Sequence, residues 1–329
     1  MIRIAILGFG SVGRGIARVI LAKNLDILVT GLADSRSGII EPAGIDIEAA
    51  LARKEEGAPC GSPDIRPIDV VTGADYDILV EVTPTNVENG GPALNHIRTA
   101  LQRKKHVVTS NKGPIALAYP ELRALAEENG VSLRYEATVC GAIPLIHAMQ
   151  EGLAGNTISR LYGVFNGTCN YILTRMAAEG LTYAQALAEA RELGYAEADP
   201  TYDVEGIDAA IKLVILANTV LDMQTTLDRV DRTGISLLTP EALHLAEEQD
   251  CTIRLIGEIV PAAGALRVSP RIITKTHPLV VEGTLNAVTL ETDLAGDLTF
   301  IGKGAGSIET ASAVIGDILY IRDRYVQGS

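Results

Sequence analysis

The sequence predicts an α/β chain of two domains, the first built on a parallel sheet and the second an α+β domain with a mostly antiparallel sheet. Three observations predict this. Up to about residue 112, short apolar runs of strand type alternate with helical patterns, as a parallel sheet with crossover helices requires. Beyond residue 157 helical patterns follow one another, and residues 252–302 then alternate as strands, with turns near Gly264 and Gly296. A chain of 329 residues with 47% apolar content is long enough for two cores.

The first element is the apolar run Ile2–Leu7. It leads into Gly8-Phe9-Gly10-Ser11-Val12-Gly13, a G-x-G-x-x-G turn, and then into a helical stripe of Val12, Ile16, Val19 and Ile20. A second apolar run, 27–34, ends in Asp34. Strand, glycine turn, helix, strand and acid in this order form a Rossmann-type dinucleotide-binding unit. Its glycines allow a tight turn and a close approach of pyrophosphate to N–H groups at a helix start. Gly8, Phe9, Gly10, Val12 and Gly13 are therefore candidate cofactor contacts. Asp34 suits the ribose hydroxyls of NAD, whereas Arg36 suits the 2′-phosphate of NADP. Both are present, so the choice stays open, and Arg36 also reads as a solvated loop arginine.

Residues 40–75 contain Pro42, Pro59, Pro63 and Pro67 and read as loops around one helix, 46–56. A strand at 77–82 runs into Thr83, a helix covers 90–103, and a strand at 106–110 runs into Asn111-Lys112-Gly113-Pro114. Ligands of open α/β sheets lie outside the carboxyl ends of the strands, which puts Thr83, Ser110 and Lys112 on the cofactor edge. Taken alone, Lys112 reads as a solvated loop lysine. A helix at 119–129 and a strand at 131–137 follow. In the turn from Glu136 to Pro144 a buried carboxylate would need a partner. Glu136 with loop carbonyls has the chemistry for a hard cation, although the spacing alone reads as a plain strand-to-helix turn.

The second half opens with a strand at 158–165, the polar turn Asn166–Asn170 and a helix. Thr182 and Gln185 form a capping box for the next helix. The chain's most unusual stretch is 194–218. Glu197, Asp199, Asp203, Glu205 and Asp208 cluster there, and Lys212 is the only Lys or Arg between Arg191 and Arg229. From Glu205 to about Leu221 the pattern is helical and mostly apolar, with Asp208 and Lys212 four residues apart on one face. The plain reading is a solvated ion pair; the other is an acid/base lysine on a largely buried helix. Thr239-Pro240 starts a further helix, and Gly302–Gly306 opens a last one that presents its N–H groups to the cofactor.

Composition narrows the function classes. A net charge of −13 opposes binding to nucleic acid or an anionic membrane, and the absence of tryptophan disfavours base-stacking platforms. No apolar run is long enough to span a membrane, and the apolar start is too short for a signal segment. Cys60, Cys140, Cys169 and Cys251 form no CxxC pair, which fits reduced thiols in a cytoplasmic protein.

Taken together, GFGSVG at 8–13, TSNKGP at 109–114, EATVCGAIP at 136–144, FNGTCNYI at 165–172, the 194–212 stretch and GKGAGSIETASAV at 302–314 resemble homoserine dehydrogenase over nearly the whole chain. The resemblance implies NAD(P)-dependent interconversion of L-homoserine and L-aspartate 4-semialdehyde, in the pathway to threonine, methionine and isoleucine. It implies Lys212 as the acid/base, Asp208 and Glu197 as substrate-binding acids, and Lys112 as a second active-site lysine that also touches the cofactor. Thr83 and Gly306 match further cofactor contacts. Glu136 with the carbonyls of Val139, Gly141 and Ile143 matches a structural Na+ site. The expected organisation is a dinucleotide-binding domain, 1–135, joined by the last helix, 303–329, and a catalytic and dimerisation domain, 136–302. A homodimer is expected, and feedback through a C-terminal regulatory ACT domain is not.

Two rival readings make other demands. A semialdehyde dehydrogenase forming an acyl-enzyme needs a nucleophilic cysteine with a histidine base; Cys140 and Cys169 are the candidates, but His147 is the one histidine near either in sequence, and the 194–212 stretch would be unexplained. A cofactor-sensing regulator would keep the glycine turn without needing Lys112 and Lys212.

Overall fold

A computed structural model describes residues 1–326, which divide into two compact units: 1–142 with 306 onward, and 143–305. The first unit runs β1 (Ile2–Leu7), α1 (Ser11–Lys23), β2 (Ile27–Ala33), β3 (Gly38–Ile40), α2 (Ile47–Glu55), α3 (Pro67–Gly73), β4 (Ile78–Glu81), α4 (Gly91–Gln102), β5 (His106–Thr109), α5 (Lys112–Asn129) and β6 (Leu133–Arg134). The sheet order is β3-β2-β1-β4-β5-β6, parallel except for the antiparallel edge strand β3. The chain leaves β1 for β2 on one side and later reaches β4 on the other. The carboxyl ends of β1 and β4 therefore border the crevice where such sheets bind ligands. Ile2, Ile4 and Ile6 of β1 pack with Ile16 and Ile20 of α1 in the core of this unit. Both faces of β1 are covered, which is why its sequence is apolar apart from the half-buried Arg3, whose guanidinium pairs with Asp75 and Asp77.

The second unit runs α6 (Leu145–His147), β7 (Ile158–Val164), α7 (Gly167–Glu179), α8 (Tyr183–Glu192), α9 (Thr201–Val204), α10 (Ile207–Thr219), β8 (Asp231–Arg232), α11 (Pro240–Glu247), β9 (Cys251–Val260), β10 (Ala265–Thr274), β11 (Leu285–Thr292) and β12 (Asp297–Lys303). Its sheet order is β12-β11-β7-β9-β10-β8, antiparallel except where the two-residue β8 joins β10. α7, α10 and α11 pack on β9, and Phe165 and Leu213 close over Gly257. The final helix, α12 (Ser307–Ile321), belongs to the first unit, where it lies along α1.

Four local expectations change. Residues 40–75 hold β3 and α3 as well as the expected helix; Pro67 stands at the first helical position of α3, where its missing N–H costs nothing. The helix expected at 119–129 begins at Lys112. Asn111 caps it by accepting from the Gly113 N–H at 3.1 Å, and a non-helical Ala118 interrupts it just before Pro120. Lys112 therefore sits in a first helical turn and not in a loop. The strand expected at 131–137 is only β6. Glu136–Thr138 instead form a 3-10 turn, and the Glu136 N–H donates to Asp317 of α12 at 3.0 Å. Finally, the helix expected from Glu205 is divided: Gly206, at φ +72°, ends α9 and starts α10.

Candidate active site

The glycine turn does three separate things. Gly8 follows β1 at φ +98°, and a methyl there would stand 2.5 Å from the Val82 carbonyl oxygen beyond β4. Gly13 is pressed against the Gly8 carbonyl oxygen, which a methyl would approach to 2.1 Å. Gly10 is different: it is exposed, it is the N-cap of α1, and a methyl there would meet no atom of the chain within 4 Å. That open space at a helix amino end leaves room for an anionic group such as a pyrophosphate. Phe9 and Gly13 are buried, Val12 half-buried. Gly306, at φ +131°, is the N-cap of α12. The first turns of α1 and α12 touch, with the Ser307 hydroxyl donating to the Ser11 carbonyl at 2.6 Å and Gly15 leaving room for Ser307. Two helix amino ends side by side strengthen an anion site.

Asp34 directly follows β2 and is buried, whereas Arg36 is exposed. One Asp34 oxygen accepts from the Arg36 and Ser37 N–H groups at 2.8 and 2.9 Å; the other takes the Lys54 ammonium at 2.7 Å. Burial pulls the carboxyl upward, but these donors outweigh it and hold Asp34 below the ordinary carboxylate value. Lys54 comes from α2, and nothing in the spacing of the sequence pairs it with Asp34.

At the carboxyl end of β4 the half-buried Thr83 is fixed from two sides. Its hydroxyl donates to the fully buried Glu81, and Asn111 donates to its carbonyl at 3.1 Å. Asn111 also caps α5, so Thr83 and Lys112 are set by one side chain. Ser110 is half-buried beyond β5, its N–H donating to the Glu81 carbonyl.

In the second unit the plain reading of Lys212 fails on burial. Lys212 is 6% exposed and Asp208 5%, and 11 of the 13 residues of α10 are buried. The Lys212 ammonium lies 2.7 Å from Asp208 Oδ2 and donates to the Phe165 carbonyl at 2.6 Å. Asn166, the N-cap of α7, accepts from the Cys169 N–H at 2.8 Å and donates to Asp203 Oδ1 at 2.7 Å and Asp208 Oδ2 at 3.0 Å. Burial, and then the neighbouring Asp208, push the Asp203 carboxyl above its ordinary value. The junction of β7 and α7 thus supplies both a carbonyl to Lys212 and an amide to its acid. The sequence marked 166–170 only as a polar turn; an Asn directly before a helical run is an N-cap signal, but its reach to Asp203 and Asp208 has no local trace.

Glu197 is exposed on the loop after α8. Arg191 holds that loop through the Glu197 and Ala198 carbonyls, at 3.4 and 3.0 Å. Glu136, Val139, Gly141 and Ile143 are all buried, and consecutive left-handed residues, Cys140 and Gly141, turn the backbone between them. Cys169 is also buried; burial and then Asp203 and Asp208 drive its thiol well above its ordinary value, the reverse of what a nucleophilic cysteine needs.

Comparison with known proteins decides the family. Residues 8–136 match the NAD-binding domain model of homoserine dehydrogenase, and residues 144–319 match the homoserine dehydrogenase model. The homoserine dehydrogenase of Methanocaldococcus jannaschii is 47% identical over 97% of this chain and 98% of its own length. This chain belongs to the homoserine dehydrogenase family. The NAD(+)-dependent homoserine dehydrogenase of Pseudomonas canavaninivorans is 40% identical over 97% of the chain and 96% of its own. A hyperthermophilic archaeal homoserine dehydrogenase solved in complex with NADPH superposes with a TM-score of 0.84 at 31% identity, covering 98% of each chain. The family is one of nicotinamide-dependent oxidoreductases, and the dinucleotide-binding unit read from the first 34 residues lies at the start of the matched NAD-binding domain.

Proposed function

We propose that this homoserine dehydrogenase interconverts L-homoserine and L-aspartate 4-semialdehyde, with Lys212 as acid/base and Asp208 as its partner. One observation carries the assignment of the lysine: a buried ammonium held by a carboxylate and a main-chain carbonyl, in the second unit of a chain of this family. The nicotinamide cofactor, when bound, supplies or accepts the hydride; Gly8, Phe9, Gly10, Val12, Gly13, Thr83, Ser110, Lys112 and Gly306 are the residues assigned to hold it.

In reduction, negative charge grows on the aldehyde oxygen, and the Lys212 ammonium donates its proton there. In oxidation the neutral amine takes the proton of the hydroxyl. Asp208 favours the ammonium form, while Lys112, a like charge assigned to the same site, favours the amine. The exposed Glu197 carboxylate accepts hydrogen bonds from the substrate's α-ammonium; Asp208 and Lys112 complete the assigned substrate site, the lysine as a donor to substrate oxygens.

For the cofactor, the Asp34–Lys54 pair favours NADP. An acid whose charge is already matched repels a 2′-phosphate weakly, and Arg36 adds a second cation. Glu136 with the carbonyls of Val139, Gly141 and Ile143 has an all-oxygen donor set suited to a structural Na+. The division of labour follows the sequence reading: residues 1–135 with 303–329 bind dinucleotide, and 136–302 carry catalysis and dimerisation. By resemblance to its family the chain is assigned as a cytoplasmic homodimer, and its four cysteines are free; among the described residues no helix is long and apolar enough to cross a membrane.

The test is nicotinamide absorbance with homoserine, with NAD and NADP side by side, for wild type and Lys212→Ala. Wild type turns over, faster with NADP, and Lys212→Ala falls by about a hundredfold or more. Near-full turnover by a folded Lys212→Ala overturns the assignment of the lysine.

A further inference from the structure

We propose that Asn166 is a positioning residue for the acid/base lysine: its carboxamide binds Asp208 and Asp203 separately, so that Asp208 divides its charge between the amide and Lys212. The inference rests on the reading of Lys212 as the acid/base.

The geometry is compact. Asp208 Oδ2 is met by both Asn166 Nδ2, at 3.0 Å, and the Lys212 ammonium, at 2.7 Å. The second N–H of the same amide goes to Asp203 Oδ1 at 2.7 Å. Asn166 is 5% exposed, so water does not compete well for these bonds. The two acids feel each other, since Asp208 helps to raise the Asp203 carboxyl, and one amide bonds both. An amide has no proton to give up near neutral pH, so it holds the acids in place without letting them exchange one. Asp203 absorbs the strain, its carboxyl raised by burial and by Asp208.

Other titratable groups surround the pair. α9 carries Asp203 and Tyr202, with Glu205 following it, and α7 carries Cys169. Tyr183 of α8 feels Cys169 and Glu205. The strands behind α10 meet it with Gly257 of β9 against Leu213 and with Val268 of β10 against Gly206, where the charged neighbour is Arg232 of β8, its side-chain stem 3.5 Å from the place of a Gly206 methyl.

Removing the amide leaves more of the Asp208 charge to the ammonium. Lys212 then holds its proton to higher pH. Oxidation of homoserine, which needs the amine, loses rate at neutral pH; reduction, which needs the ammonium, does not. A change that only loosened the fold would lower both.

Asn166→Ser is the first variant, because serine still caps α7 but has no amide. Asn166→Asp is the second, because it keeps the shape and the capping oxygen while replacing the donor by a third acid. Both are measured in kcat/KM against pH in each direction, over about pH 6–10, with melting curves to verify folding. The expected result is an alkaline shift of the oxidation limb by about one pH unit in Asn166→Ser and more in Asn166→Asp. Oxidation falls about tenfold at neutral pH while reduction stays within about threefold. Folded variants whose limbs coincide with wild type, or whose two directions fall in parallel, overturn the inference. Lys212→Ala, run beside them, separates it from its parent. Turnover lost with Lys212 but unshifted Asn166 variants overturn this inference alone; turnover kept without Lys212 overturns the parent reading and this one with it.

Discussion

Alanine at Gly13 and at Gly10 should fail in opposite ways, although both belong to one motif. A methyl at Gly13 would lie 2.1 Å from the Gly8 carbonyl oxygen, a backbone atom that cannot swing aside. Ordinary contact needs roughly 3.4 Å, so α1 must withdraw by about 1.3 Å or the turn must distort. The withdrawal loosens Ile16, Ala17 and Ile20, which seat α1 in the core, and disturbs the contact of α1 with α12. The expected cost is about 3 kcal/mol, a fall of several degrees in melting temperature. At Gly10 a methyl meets nothing in the chain, and φ is negative, so stability changes by less than about 1 kcal/mol. The methyl does occupy the approach of the pyrophosphate, and the Kd for NADPH should rise about ten- to a hundredfold. Melting curves without cofactor and fluorescence titration with NADPH read the two effects separately. A Gly10→Ala protein that binds NADPH as wild type does, or a Gly13→Ala protein that melts as wild type does, refutes the reasoning.

Three further outcomes follow from the sites. Asp203 has a folded-state carboxyl value raised above its ordinary 3.8, so the stability its neutral form contributes is complete below that value and is lost as pH rises through the raised one. Asp203→Asn should therefore melt above wild type at pH near 8, with the gap closing near pH 4; an equal gap at both would contradict the assignment. Glu197→Gln should raise the KM for homoserine about tenfold or more with no change in melting temperature, since the side chain is exposed and only its backbone is held, by Arg191; an unchanged KM removes it from the substrate site. Lys54→Met frees Asp34 to bond ribose hydroxyls and to repel phosphate, so the ratio of kcat/KM for NADP over NAD should fall about tenfold, and a constant ratio argues against that pair as the discriminator.

Much of the first unit was legible because its signals are local. A strand, a glycine turn and an amphipathic helix within the first 23 residues need no distant partner to be recognised. Most of the misreadings came where prolines or glycines carry two meanings. Pro67 starts a helix, whereas Pro120 sits beside a break inside one, and Gly206 divides a stretch whose apolar pattern alone looks continuous. Around the sites, the lysine and its acid were visible as an i,i+4 pair, but whether that pair was solvated or buried was not, because a helix apolar on every side leaves open how deep any one face lies. Lys54 opposite Asp34 and Asn166 between two acids were invisible for a simpler reason: each joins residues about 20 to 42 positions apart, set by how helices pack on strands.

The sequence by itself determined the α/β class, the cofactor-binding turn and the choice of Lys212 as the cation of interest, since each depends on residue type and short spacing. Tertiary structure alone decided the environment of those groups. It placed the ammonium on the Phe165 carbonyl and Asp208, matched Asp34 with Lys54, and left Gly10 open while packing Gly13 shut. The physical reason is that proton affinity and ligand approach depend on burial and on neighbours a few ångströms away, and those are brought together by long-range packing that no local window of sequence records.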